Sequence, residues 1–569
     1  MTATALVARP MAPRRQSDLR QAQRATSQLR LMVMMLVYAG AVLLVVGKLA
    51  LLAAHAQGDN VGAIGGAGPR RDIVDRNGAP LARTIDTWAI GVHPARLLGN
   101  RGEIADRLAA ILGLDRGQLY AALTSGRPFT YIARNISASL VTDVNAIGEP
   151  AIVFERHRDR LYPQSQLAAH VLGFLDPKGA TGVSGMERVL DGQLSAAGDA
   201  PIALSIDTRV QAAMESELGQ AMTSFKARSA AGIVLDVATG EVVAMVSFPV
   251  FNPNKVGAAT LDELRNNTTQ SVYELGSAFK PITMATAIDT GVVTSMARRF
   301  DATAPMKVGR FTIKDDHPQR RFLDIPETLV HSSNIATARI AKEVGKDRLA
   351  AMFVAMGFRD RPAIELKERG RPLWPGYWGD ITTMTTAYGH GIAVTPLHLA
   401  SAYAALVNGG ILRPATLLKV APGKAAAGRR VISQATSDRM RQLLRLVVLK
   451  GTGRKSDVAG YRVGGKTGTA EVAVAGGYSK KANVSTFAAA FPMDAPRYVV
   501  VAMLDSPIGN AQSAGQATAG WTAAPVVGRF IARAGPLLGV IPDTSRDIDV
   551  ADLLPLLWGE SGRSTGEPE

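Results

Sequence analysis

Ser277 and Lys280 are the residues of this sequence best suited by type and spacing to do chemistry. They stand in Tyr273-Glu-Leu-Gly-Ser-Ala-Phe-Lys-Pro281. Three residues along a helix is about one turn, so the hydroxyl and the amine share a face. A serine hydroxyl is a weak nucleophile until a neighbouring base takes its proton. A lysine can be that base when burial disfavours its charged form. A serine near a helix start also lies among free backbone N–H groups, which suit a developing oxyanion. The chemistry these residues could do is acyl transfer through a serine ester. Ser277 is the only serine in the chain with a lysine three residues on. By itself the pattern more often marks a solvated helix face, so the surrounding elements have to decide.

The residues after Ser277 read as a buried helix running to Thr290. Phe279, Ile282, Met284, Ala285 and Ile288 recur at helical spacing, Gly291 marks the stop, and Pro281 falls in the tolerant first turn. Upstream, Val210, Ala213, Met214 and Leu218 predict a helix over 208–225. Residues 231–237 and 242–247, joined by Ala238-Thr239-Gly240-Glu241, predict a central hairpin of a sheet. Downstream, 332–334 reads as a turn between helical segments and 392–406 as another helix. Strands are expected over 462–470, 486–491 and 498–504, and a closing helix over 521–532. The whole is an α+β domain, an antiparallel sheet flanked by helices, with the chemistry at the helix–sheet border.

At 569 residues the chain has room for two or more domains. Residues 1–30 carry six arginines against one aspartate and read as a cytoplasmic tail. Residues 31–54 form an apolar run broken by Lys48, long enough for one transmembrane helix. The length of this run favours a retained anchor over a cleaved signal peptide. A Gly-rich linker follows. Residues 55–200 then read as a pedestal domain, with a strand–turn–strand around Asp75-Arg76-Asn77-Gly78 and short helices and loops over 103–147. Residues 201–542 form the domain built around Ser277, and the acidic stretch 543–569 reads as a loose C-terminal tail. There is no cysteine, which excludes a disulfide scaffold and thiolate metal sites. No histidine spacing suggests a metal, and no phosphate-binding loop or cofactor motif stands out. Net charge is +16 but no concentrated basic patch appears, so nucleic-acid binding is not expected.

Two further motifs, Ser332-Ser333-Asn334 and Lys466-Thr467-Gly468, occur once each and follow in that order. Together with Ser277-x-x-Lys280 they are the set carried by serine β-lactamases and penicillin-binding proteins, with Ser333 where Asp is common. The sequence resembles class B penicillin-binding proteins from its apolar anchor to about residue 535. Arg70–Ala82 is similar to the family's first pedestal motif, with Arg71 in place of Gly. Arg160-Leu161-Tyr162-Pro163 with Ala168–Gly173 is similar to the second, with Ser165 where Gly is usual. Leu275 stands where Pro often precedes Gly-Ser-x-x-Lys.

The resemblance implies a transmembrane helix, an elongated dimerisation-type pedestal, and a transpeptidase domain of the serine β-lactamase fold. Ser277 would attack and Lys280 would act as base. Ser332 would relay a proton, and Asn334 would hold Lys280 or a substrate amide. Lys466 would supply positive charge, Thr467 and Thr469 would bind a substrate carboxylate, and Gly468 would let backbone and ligand approach. Asn334 and Ala387–Leu397 resemble the FtsI-type septal group. The activity implied is peptidoglycan D,D-transpeptidation, with β-lactams as inhibitors and an FtsW-type glycan polymerase and other division proteins as partners. An elongation-type enzyme and a division scaffold with dispensable catalysis stay open. A class A β-lactamase would carry Glu-x-x-Leu-Asn, which is absent. A penicillin-sensing receptor would carry an output domain, and none is visible.

Overall fold

The computed structural model describes residues 30, 32–48 and 70–558, except 178, 475 and 476. The segment Met1–Gly68 is a unit by itself, of which 32–48 are helical. Residues 31 and 49–54 of the expected anchor lie outside the described residues. Among the described residues no helix is long and apolar enough to cross a membrane.

A sheet buried on both faces organises the structure around the site. The elements that position the site are β6 (Ser229–Asp236), β7 (Val242–Phe248), β8 (Gly464–Val474), β9 (Gly477–Phe491) and β10 (Tyr498–Asp505). They form one antiparallel sheet in the order β8-β9-β10-β6-β7. Successive side chains of a strand point to opposite faces. Ala231, Ile233, Val499, Val501 and Met503 therefore enter one core, and Ala230, Val234, Val500, Ala502 and Leu504 enter the other. The second core is closed by α4 (Thr208–Ser224) and α10 (Ala523–Ala534). The first is closed by α5 (Lys280–Asp289), α8 (Pro396–Val407) and α9 (Gln434–Lys450). The hairpin β6–β7 was expected at the sheet centre, but β7 is an edge strand.

The preceding domain carries β1 (Ile73–Val74), β2 (Pro80–Val92), β3 (Thr130–Ile136), β4 (Ile152–Leu161) and β5 (Ile202–Ala203) in a mixed sheet. Helices α1 (Arg101–Leu112), α2 (Arg116–Leu123) and α3 (Ala138–Asn145) pack on it around a small core with Leu108, Leu119 and Val144. The strand–turn–strand at 73–82 is present, with Gly78 supplying the turn's positive φ. Strand β3 lies where short helices and loops were expected, because its half-buried residues give no clean alternation.

The motifs that carry the resemblance join the two domains. Asp75 Oδ2 accepts from Thr208 N at 3.1 Å and Thr208 Oγ1 at 2.9 Å, at the start of α4. Tyr162 N donates to Asn254 Oδ1 at 3.0 Å and Asn254 Nδ2 donates back to Tyr162 O at 2.9 Å. Glu187 is fully buried between Arg70 (2.8 Å) and Arg160 (2.7 Å). Ser165 takes φ +55°, the left-handed conformation that glycine adopts without strain.

The C-terminal stretch is not loose as far as residue 558. Val550, Leu553 and Leu557 are buried, Arg445 of α9 holds Asp547 at 2.6 Å, and Trp558 N donates to Glu327 Oε1 at 2.9 Å. Two of its acidic residues, Asp547 and Asp552, pair with Arg445 and Arg439 of α9.

Candidate active site

Ser277 sits on a one-turn 3-10 helix, Gly276–Phe279, which runs directly into α5. Lys280 is the first residue of α5, and Pro281 lies in its first turn. The 3-10 turn is pinned from below, where Tyr403 Oη donates to Ala278 O at 2.9 Å and Phe279 packs on Phe353 and Phe358. Edge strand β8 presses on it from the side. A Cβ on Gly468 would come within 2.2 Å of Leu275 O, and one on Gly276 (φ +52°) within 2.5 Å of Thr469 O. Gly468 was expected to make room for a ligand. In the structure its missing side chain lets β8 dock against the turn that carries Ser277.

Ser332 and Ser333 lie between α6 (Ile325–Val330) and α7 (Asn334–Val344). Ser332 takes φ +60°, rare for a non-glycine residue. This turns its hydroxyl toward two buried lysines. Lys280 Nζ donates to Ser332 O and, at 3.1 Å, to Ser332 Oγ. Lys466 Nζ donates to Ser332 Oγ at 2.8 Å and to Thr467 O at 3.0 Å. Asn334 does not hold Lys280. Its Nδ2 donates to Lys314 O at 3.1 Å, because the turn aims the Ser332 backbone carbonyl at the amine instead.

Both lysines are fully shielded from solvent. Burial pulls the Lys280 amine down to about 7, against the opposing pull of Asp315 and Asp316. Burial also holds Lys466 well below the usual range, and the nearby Lys280 adds to this. A neutral amine is therefore accessible at physiological pH, as a general base requires. Ser277, Ser332, Thr467 and Thr469 line one cleft of about 390 Å³ with Thr452 and His331. Thr469 Oγ1 accepts from Ala519 N at 3.1 Å.

Asp315 was missed in the sequence. Its carboxylate accepts from Ser333 Oγ at 2.7 Å, Asn334 N at 2.6 Å and Ile335 N at 2.9 Å, which fixes the start of α7 and so the Ser332 turn. It stands in Lys314-Asp315-Asp316-His317, a run that looks like solvated loop. No group of side chains fit to hold a metal occurs among the described residues.

A serine one turn before a buried lysine, a second serine between two lysines, and a threonine-bearing edge strand fit a serine acyltransferase site. The comparisons agree with that class. Residues 230–528 match the penicillin binding protein transpeptidase domain and residues 66–198 the penicillin-binding protein dimerisation domain. The chain is 42% identical over 489 residues to the probable peptidoglycan D,D-transpeptidase FtsI of Caulobacter vibrioides, covering 83% of this chain and 82% of that protein. It is 30% identical to peptidoglycan D,D-transpeptidase FtsI of Escherichia coli K12, covering 83% and 84%. A crystal structure of penicillin binding protein 3 from Mycobacterium tuberculosis with aztreonam superposes with a TM-score of 0.66 at 26% identity, over 84% of this chain and 98% of that one. The chain belongs to the penicillin-binding protein family, as a class B member of the FtsI type.

Proposed function

We propose that the chain is a peptidoglycan D,D-transpeptidase acting in septal wall synthesis through a Ser277 acyl-enzyme. The reading rests above all on one relationship: Ser332 Oγ accepts from both Lys280 and Lys466 in the cleft that Ser277 lines. Lys280 takes the Ser277 proton as the hydroxyl attacks the penultimate D-Ala carbonyl. Ser332, backed by Lys466, delivers a proton to the departing D-Ala amine. Thr467 and Thr469 bind the terminal carboxylate, and backbone N–H groups of Ser277 and Thr469 receive the oxyanion. Asn334, whose Nδ2 donates to Lys314 O, is assigned as a substrate contact. No cofactor enters the scheme.

Domain limits of 55–200 and 201–542, a membrane anchor at 31–54 with a cytoplasmic N-terminus, and a periplasmic catalytic domain complete the proposal. The six arginines before the apolar run support that orientation. An FtsW-type polymerase would supply the glycan strands. The test is D-Ala release and cross-linked product from a pentapeptide donor. Wild-type chain yields both, Ser277→Ala yields neither, and equal yields from the two would refute the mechanism.

A further inference from the structure

A second cavity, of about 630 Å³, opens beside the catalytic cleft, a size ordinary for ligand sites. Gln220 and Ser224 of α4, Gln512, and Arg529 of α10 contribute to its walls. Lys455 and Trp521 line both spaces, and Lys455 Nζ lies 3.9 Å from the centre of the Trp521 ring. This pair is the wall the cavities share. No acidic side chain lines the second cavity among the described residues. Arg529 is neutralised by Glu217 at 2.8 Å. Lys455 has no carboxylate partner among the described residues and rests on the indole alone.

The chemistry sets the direction from which a second substrate arrives. By microscopic reversibility, the amine that opens the acyl-enzyme enters where the D-Ala amine left. That side is where Thr467 and Thr469 read the departing carboxylate. Thr467 Oγ1 lies 2.7 Å from Thr452 Oγ1, and Thr452 leads into the 3-10 turn Arg454–Ser456 that carries Lys455. The path from Ser277 on the leaving-group side therefore runs past Thr467 and Thr452 to the Lys455–Trp521 wall and the cavity beyond.

We propose that this second cavity holds the acceptor stem peptide, an amine-bearing peptide whose carboxylate pairs with Lys455 and whose backbone amides meet Gln220 and Gln512. The inference rests on the transpeptidase reading above. The acceptor nitrogen attacks the Ser277 ester carbon, the C–N bond forms and the C–Oγ bond breaks. The proton lost by the amine passes through Ser332 and Lys280 to Oγ, which restores the Ser277 hydroxyl.

The test uses full-length chain in detergent micelles, acylated by a depsipeptide donor ending in D-Ala-D-lactate and offered a synthetic stem tetrapeptide with a free side-chain amine. The readout is the ratio of cross-linked to hydrolysed donor, so each variant's own acyl-enzyme is its reference. Lys455→Glu and Gln220→Trp, which fills the cavity from α4, each lower that ratio about tenfold. An unchanged ratio in Gln220→Trp overturns the proposal whatever Lys455→Glu does. A fall seen only when the amine is carried on a glycan strand also overturns it, because the cavity would then hold glycan. Failure of wild-type chain to acylate at all is a different result, and refutes the transpeptidase reading itself.

Discussion

Asp315 and Ser333 are 18 residues apart in sequence and joined by a 2.7 Å hydrogen bond from Ser333 Oγ to Asp315 Oδ2. With the N–H groups of Asn334 and Ile335 on the other oxygen, that bond holds the preceding Ser332 at φ +60°. The same carboxylate opposes the fall of the Lys280 pKa. One side chain thus fixes the turn that carries the proton relay and biases the charge of the base.

Acylation should therefore depend on pH in a defined direction. Lys280 acts as base only when neutral, and its amine titrates near 7. The acylation rate rises with pH through about 7. In Asp315→Asn the negative charge is gone, the charged amine is less favoured, and the midpoint moves to lower pH. Asp316 still favours the charged amine there, while burial continues to disfavour it. The rate on the plateau falls about tenfold as the Ser332 turn loosens. Stopped-flow acylation with a fluorescent penicillin across pH measures both. A midpoint that stays fixed or rises contradicts the electrostatic role.

Ser332→Ala removes the acceptor shared by Lys280 and Lys466. Proton transfer by a positioned side chain contributes upward of about 10²-fold, so turnover of a peptide donor falls by that order. Thermal unfolding shows whether the protein is still folded. A normal rate in a folded variant would take Ser332 out of the mechanism.

Glu187 has no part in the chemistry. Glu187→Ala leaves the buried guanidinium of Arg160 without its carboxylate and deprives Arg70 of one of two. Breaking a buried ion pair from one side costs about 3–5 kcal/mol. A denaturant titration should show that loss, while the acylation rate of folded molecules stays near wild type.

Leu553→Ala tests the packing of the C-terminal stretch. Leu553 is fully buried, and truncating such a side chain costs about 2–5 kcal/mol. No change in stability would mean that the stretch is loose after all.

Much of this was legible in the sequence. The helix expected over 208–225 is α4, Thr208–Ser224, because its apolar positions are regular and Asp207 caps it. The strands around Lys466 and Val500 were read for the same reason, although β9 begins at Gly477, well before the expected 486. Short motifs carry Ser277, Lys280, Ser332, Lys466, Thr467 and Thr469; in the structure Ser277, Ser332, Thr467 and Thr469 line one cleft, with Lys280 and Lys466 buried against Ser332. What stayed hidden depends on distant partners. Asp315 looks like surface until α7 is folded above it. The edge position of β7 is set by which strand pairs with β6, which local pattern does not encode. The buried Leu553 and Leu557 stand among acidic residues whose arginine partners lie about a hundred residues earlier, on α9.

The central claim is that Ser277 forms the acyl-enzyme with Lys280 as its base. Its most direct test is intact mass and peptide mapping of the chain after incubation with a penicillin. The account predicts a long-lived adduct on the Ser277 peptide, absent in Ser277→Ala and formed much more slowly in Lys280→Ala. An adduct elsewhere, rapid turnover with none trapped, or full-rate labelling without Lys280 would contradict it.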